Sequence, residues 1–227
     1  METPAEIRDN PLIRYYIQSD GAVVYDKKMN KRINFCMTLE ESNLLFDIFN
    51  RYTNRMRVRF DGNVYQRKAP PTDAFCAMFD VDPDFLCSKS PDERLVDDFE
   101  AACRKMDGVE MVSAHFRNDP EMERFFADLD STGLFSYVRN DQMPYCHVFS
   151  KCAGKGNAIK KLMEWLNFTK EETIFVGDGT NDITMLRMGG LGLAVANACE
   201  ELRAEADEVI CSNSEHTARY ILEHYIK

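Results

Sequence analysis

The chain has 227 residues, 44% of them hydrophobic, with a formal net charge of −10 and a pI near 5.0. That is enough for one large domain or two modest ones with a packed core, and the acidic balance excludes nucleic-acid binding as a main activity while leaving room for a small anionic ligand beside a cation or a few local lysines. No apolar run approaches the ~18 residues that a membrane span needs, and METPAEIRDNPLIRYY lacks the apolar core of a leader, so a cytoplasmic protein with no membrane partner is expected.

In chain order, Ile13–Gln18 reads as a strand, followed by a turn at Ser19-Asp20-Gly21 and a hairpin turning at Met29–Asn30. Thr38 and Glu41 have capping-box spacing ahead of a helix, LEESNLLFDIFNRY. RMRVRFDGNVYQRK predicts a second hairpin with Asp61-Gly62 as its turn. AFCAMFDVD reads as a strand, and Ser90-Pro91-Asp92-Glu93 as a helix start. Strand VEMVSAHF, helix PEMERFFADLD and strands LFSYVR and YCHVFS follow. Hairpins with few helices predict an α+β part with a mostly antiparallel sheet.

The pattern changes near Lys151. A helix over GKGNAIKKLMEWLNF, a capping-box pair at Thr169 and Glu172, and strands TIFVG, LGLAVA and EVIC alternating with short helices predict a parallel, doubly wound α/β part. The eight cysteines include no C-x-x-C pair, which argues against zinc and for reduced, partly buried thiols.

Ligands of parallel sheets bind beyond the carboxyl ends of the strands. Asp178 stands there, directly after TIFVG, with Asn181 and Asp182 at the start of the next helix. Hard oxygen donors on such a turn suit Mg²⁺. Aspartate and asparagine also cap helices at these turns, and the whole run G-D-G-T-N-D favours the metal reading over a cap. Lys155 lies at a helix start, where a lysine can steady a phosphate; a lone G-K-G reads first as a solvated lysine, and the phosphate reading gains weight only from its place one α/β unit before Asp178.

The stretch from about Gly154 to the end resembles the C-terminal part of haloacid-dehalogenase-superfamily phosphatases of the Cof type, carried by GKGNAIKKL, GDGTND, GLAVANA and NSE. The middle resembles that subfamily's large cap by element order only. YYIQSDGAVVYD resembles the strand and N-G-A turn leading into the cap, with Asp20 in place of asparagine. The resemblance implies an α/β fold, a doubly wound parallel core with an inserted α+β cap, divided as 1–24 core, 25–150 cap and 151–227 core. It implies a Mg²⁺-dependent phosphatase of small phosphorylated metabolites. Lys155 would steady the phosphoryl group, Asp178 ligate Mg²⁺, Asp182 support the metal or its waters, and Asn181 face the phosphate.

In that family an aspartate attacks the phosphorus, and a second aspartate two residues later is the acid and base. Both belong to a D-x-D-G-T motif, and no such run occurs here. Asp80-Val81-Asp82 follows an apolar stretch, but Pro83 and Asp84 stand where glycine and threonine are needed, and proline lacks the N–H of a phosphate-cradling turn. A cap strand is the expectation there. The expectation for the chain alone is therefore weak Mg²⁺ binding without turnover, as a piece of a phosphatase. The alternatives are a catalytically dead binding protein and a complementing fragment, with an oligomer or a second chain as partner.

Overall fold

The computed structural model describes residues 7, 9–68, 77–79, 93–140 and 142–226. The chain divides into two compact units, residues 1–153 and 154–227.

The first unit opens with an antiparallel meander, β1 (Tyr15–Gln18), β2 (Val23–Asp26) and β3 (Lys31–Asn34). Asp26 ends β2 with its side chain fully buried, which an unpaired carboxylate could not tolerate. The Arg14 guanidinium donates to both its oxygens, at 2.7 Å to Oδ2 and 3.1 Å to Oδ1. Oδ1 also accepts from the amides of Lys28 and Met29, which fixes the turn into β3.

A six-stranded sheet follows, in the order β6-β5-β4-β7-β9-β8. Its strands are β4 (Asn54–Phe60), β5 (Asn63–Arg67), β6 (Glu93–Val96), β7 (Val109–Phe116), β8 (Phe135–Arg139) and β9 (Tyr145–Ser150). The β4–β5 turn falls on Asp61 and Gly62, both with positive φ, as the Asp-Gly pair requires. Helix α1 (Leu39–Phe49) carries the predicted Thr38–Glu41 capping box. Helix α3 (Asp119–Thr132) is capped by Asn118 and ends at left-handed Gly133; the short α2 (Phe99–Cys103) is capped by Asp98. Leu45 and Phe49 of α1 and Met122, Phe125 and Leu129 of α3 share one core with Val58, Val112, Ala114, Phe116 and Val148 of the sheet. Phe125 stacks on Phe49 at 4.4 Å and lies tilted against Phe116 at 4.8 Å.

Two expectations fail here. Glu93–Val96 is a strand paired in parallel with β5, not the first turn of a helix. The Ser-Pro-Asp-Glu signal is local, and pairing with Val64–Arg67 overrides it. Ala77 and Met78 are helical, so AFCAMFDVD is not a strand throughout. Asp80, Asp82, Pro83 and Asp84 lie outside the described residues.

The second unit holds the parallel sheet β10 (Ile174–Gly177), β11 (Leu191–Val195) and β12 (Glu208–Ile210), with β11 in the middle. Its helices are α4 (Lys155–Leu166), α5 (Ile183–Leu186), α6 (Glu200–Glu205) and α7 (Thr217–His224). Leu186, Ala194, Val195, Ala198 and Leu202 form its core, with Phe175 and Val176 packed against them. Parallel α/β and antiparallel α+β parts are thus both present, as predicted. Among the described residues no helix is long and apolar enough to cross a membrane. The six described cysteines are free thiols, and burial pushes Cys103 up to about 12.

Asp26 gives an acid-stability prediction. The hydrogen bond from Arg14 is the main cause that holds its carboxyl at about 2, with the Met29 and Lys28 amides helping and burial opposing. A folded pKa below the unfolded value of about 3.9 stabilises fully above that value and fades as pH falls toward 2. In acid titrations followed by circular dichroism, Asp26→Asn is expected to lower stability at neutral pH and to flatten its pH dependence between about 4 and 2.

Candidate active site

The loops after the three parallel strands meet at their carboxyl ends. The strand β10 ends at Gly177, and residues 178–182 turn sharply into α5 through a single 3-10 turn, Thr180–Asp182. Asp182 is 4% exposed, and both its oxygens are engaged. Oδ1 lies 2.5 Å from the Lys155 ammonium. Oδ2 accepts from the amides of Asp178 at 3.0 Å and Gly179 at 3.2 Å. One buried carboxylate therefore closes its own loop and anchors the lysine of a neighbouring helix.

Small residues make this geometry fit. A Cβ on Gly177 would sit 2.5 Å from the Cβ of Asp182. A Cβ on Gly156 would sit 3.0 Å from Thr184, so α4 packs backbone-close on α5. Lys155 opens α4 behind Gly154, whose φ of 106° no side chain adopts easily, and no side chain caps the first amides.

Asp178 differs from Asp182. Its carboxylate is exposed and makes no hydrogen bond among the described residues, while its carbonyl accepts from Cys199 N at 2.9 Å. That bond ties the β10 loop to the start of α6. Asn181 is half-buried on the same turn. The next seam is Asn197, whose Oδ1 accepts from Ser212 Oγ and Asn213 N, both at 3.0 Å. Sequence reasoning quoted the motifs around Asn197 and Ser212 but gave neither residue a role. Only the β11–β12 neighbour relation shows that they join two loops.

The structure thus brings Lys155, Asp178, Asn181 and Asp182 to one end of one sheet. Asp178 fits a divalent cation as a single hard-oxygen ligand. Asp182 is already committed to three donors and fits as the brace beside such a ligand. Among the described residues no cluster of three or more His, Cys, Asp or Glu side chains forms a metal site. Another Asp-x-Asp, Asp128-Leu129-Asp130, lies within helix α3, where Asp128 accepts from Arg51 and Tyr52. It is no strand-end pair. The Asp80–Asp82 pair cannot be placed, since it falls outside the described residues.

Replacing Gly177 tests the packing. Gly177→Ala is expected to push Asp182 off its amides and to destabilise by about 1–3 kcal/mol, as overpacking does. Urea unfolding of the variant against the parent chain measures it, and an unchanged midpoint contradicts the close approach.

The sequence model of the haloacid dehalogenase-like hydrolases matches residues 5–222. The phosphatase YwpJ of Bacillus subtilis is 42% identical over 77 residues, 34% of this chain and 27% of that protein. The phosphoglycolate phosphatase of Methanopyrus kandleri is 33% identical over 111 residues, 48% of this chain and 47% of that one. The matches therefore span from about a quarter to a half of these relatives' length. Among solved structures, a subclass IIB sugar phosphatase of the superfamily superposes with a TM-score of 0.74 at 22% identity, over 97% of this chain and 79% of that one. A haloacid dehalogenase-like hydrolase from B. subtilis gives a TM-score of 0.73 at 21% identity, over 95% and 81%.

Proposed function

The chain belongs to the haloacid dehalogenase-like hydrolase family, and on that premise we propose that it serves the Mg²⁺-dependent hydrolysis of small phosphomonoesters. The observation that carries this is the Lys155–Asp182 pair, 2.5 Å apart, fixed beneath an exposed Asp178 at a strand end. Similar proteins bear the names of phosphoglycolate and sugar phosphatases, which supports a small phosphorylated metabolite as substrate.

Each residue has a role in this reading. The Lys155 ammonium pairs with phosphoryl oxygens, where charge gathers in the transition state. Asp182 orients that ammonium and keeps the loop amides aligned. Asp178 holds the cation, and Asn181 offers an amide to the phosphate side. A divalent cation held by Asp178 would supply neutralisation of the phosphate's negative charge. The six-stranded sheet and its helices act as the cap that selects substrate. The attacking carboxylate belongs to the family's D-x-D-G-T motif, which these 227 residues do not contain. Phosphomonoester hydrolysis demands a barrier reduction above ~20 kcal/mol, and a lysine and a cation do not supply it without a nucleophile.

The test measures phosphate release from a broad phosphomonoester panel, with and without Mg²⁺. It compares the 227-residue chain with the same chain extended by, or mixed with, a segment bearing D-x-D-G-T. No turnover is expected from the chain alone, and Mg²⁺-dependent turnover from the extended protein. In the latter, Asp178→Asn or Lys155→Ala is expected to cost on the order of 10²-fold. An extended protein that hydrolyses nothing, or full activity surviving Asp178→Asn, overturns the reading. Turnover by the chain alone that Asp80→Ala abolishes relocates the nucleophile to Asp80.

A further inference from the structure

Asp178 is aimed by its backbone. Its carboxylate is exposed and makes no hydrogen bond among the described residues, yet both its backbone polar groups are held. A short side chain on a held backbone is left only a few staggered directions, so those two contacts decide where the carboxylate points. The inner contact runs from Asp178 N–H to Asp182 Oδ2 at 3.0 Å. The outer one runs from Cys199 N–H to the Asp178 carbonyl at 2.9 Å. Cys199 belongs to another loop, the one that follows β11 and leads into α6, so the outer contact is only as firm as that loop.

Ala196 N–H reaches the Cys211 carbonyl at 3.3 Å and so carries the β11–β12 pairing one step beyond the strands. Ala198 N–H turns back to the Val195 carbonyl at 2.9 Å, and the Ala198 side chain is buried in the core of the second unit. Between them stands Asn197, exposed, with Oδ1 accepting from Ser212 Oγ and Asn213 N. An exposed amide oxygen can be satisfied by water, so neither bond is needed to offset burial. What the pair achieves is to fasten the β11 loop to the β12 loop. The receiving end is itself braced. Ser212 N–H donates to Glu215 Oε2 at 2.8 Å, and Thr217 Oγ1 donates to the Ser212 carbonyl at 3.4 Å.

We propose that Asn197 is a positioning residue for Asp178: it holds the β11 loop on the β12 loop, and the Cys199 amide passes that restraint to the Asp178 carbonyl. The inference rests on the reading of Asp178 as a cation ligand. Asn197 acts through Cys199 and is not itself a ligand. Mg²⁺ demands near-ideal octahedral geometry, so a carboxylate free to turn binds it more weakly than one held in a single direction. Asp182 and Asn197 then divide the work. The first holds the amide of Asp178, and the second, at one remove, holds its carbonyl.

The test uses NMR on the full chain, first without metal. Hydrogen exchange of the Cys199 amide reads the outer contact, and three-bond couplings read the Asp178 rotamer. Asn197→Ala is expected to speed Cys199 exchange about tenfold, as loss of a hydrogen bond does, and to turn one Asp178 rotamer into an average. Asn197→Asp keeps the accepting oxygen and should restore both. The Asp178 and Gly179 amides, bonded to Asp182, should stay protected throughout. If Asn197→Ala loses these as well, Ser212→Ala, which removes one of the two donors, takes its place. Mg²⁺ is then titrated against the Asp178 carboxyl carbon resonance, with Asp178→Asn as blank, and Asn197→Ala is expected to weaken binding about tenfold. No Mg²⁺ response at Asp178 in the parent chain overturns the cation reading beneath the proposal. Cys199 exchange and an Asp178 rotamer indifferent to Asn197→Ala and Ser212→Ala overturn the proposal itself, whether or not Mg²⁺ binds. An Mg²⁺ affinity unmoved by Asn197→Ala does the same.

Discussion

Asp182 is the constraint on which the candidate site rests. Its carboxylate is buried, and a buried charge is tolerated only when its lone pairs are used. Three donors use them: the Lys155 ammonium and the amides of Asp178 and Gly179. The same bonds that satisfy Asp182 curl the β10 loop, and the curl is what leaves the Asp178 carboxylate facing outward. Gly177 is part of this arrangement, because any side chain there would meet Asp182. Two aspartates four residues apart therefore do opposite work, and burial decides which is which. The inner one is structure; the outer one is available for chemistry.

The first unit repeats this division on a larger scale. One strand, β4, alternates arginines with large apolar residues over seven positions. The apolar set is absorbed by α1 and α3. The arginines are then obliged to share the far side with whatever β7 and β9 place there, which is Ser113, His115, Tyr145 and His147. A half-polar sheet of this kind costs desolvation at every buried group, and Gln66 and Asp20 offset part of that cost by holding Arg55, Arg57 and His147 in place.

Local signals in the sequence were legible where chemistry within a few residues decides the outcome. The Thr38–Glu41 capping box, the Thr169 N–H bond to the Glu172 carboxylate, the Asp61-Gly62 turn and the Asp178 strand end all depend on neighbours in sequence, and all are present. The failures share the opposite cause. Ser90-Pro91-Asp92-Glu93 has the local chemistry of a helix start, yet Glu93–Val96 pairs with a strand some thirty residues earlier. The site followed the same rule. The four residues could be named from their motif, but not that Lys155 and Asp182, 27 positions apart, form one ion pair. The Asp20–His147 contact spans 127 positions and left no trace in any window.

That long contact also explains why the meander and the six-stranded sheet fall within one compact unit. Ser19 and Asp20, at φ 52° and 50°, each hold a conformation costing a non-glycine residue roughly 1–2 kcal/mol. Such a turn survives only where the surroundings over-determine it. Here Ser19 donates to buried Glu110 at 2.7 Å, and Asp20 meets His147 at the same distance. Glu110 also accepts from Arg32 of β3 and from the amide of Gly62. Two acidic side chains, Asp20 and Glu110, thus clamp the strained turn from opposite directions, one reaching out of the meander and the other out of the sheet. Releasing either contact would leave the strain of the Ser19–Asp20 turn without part of what offsets it.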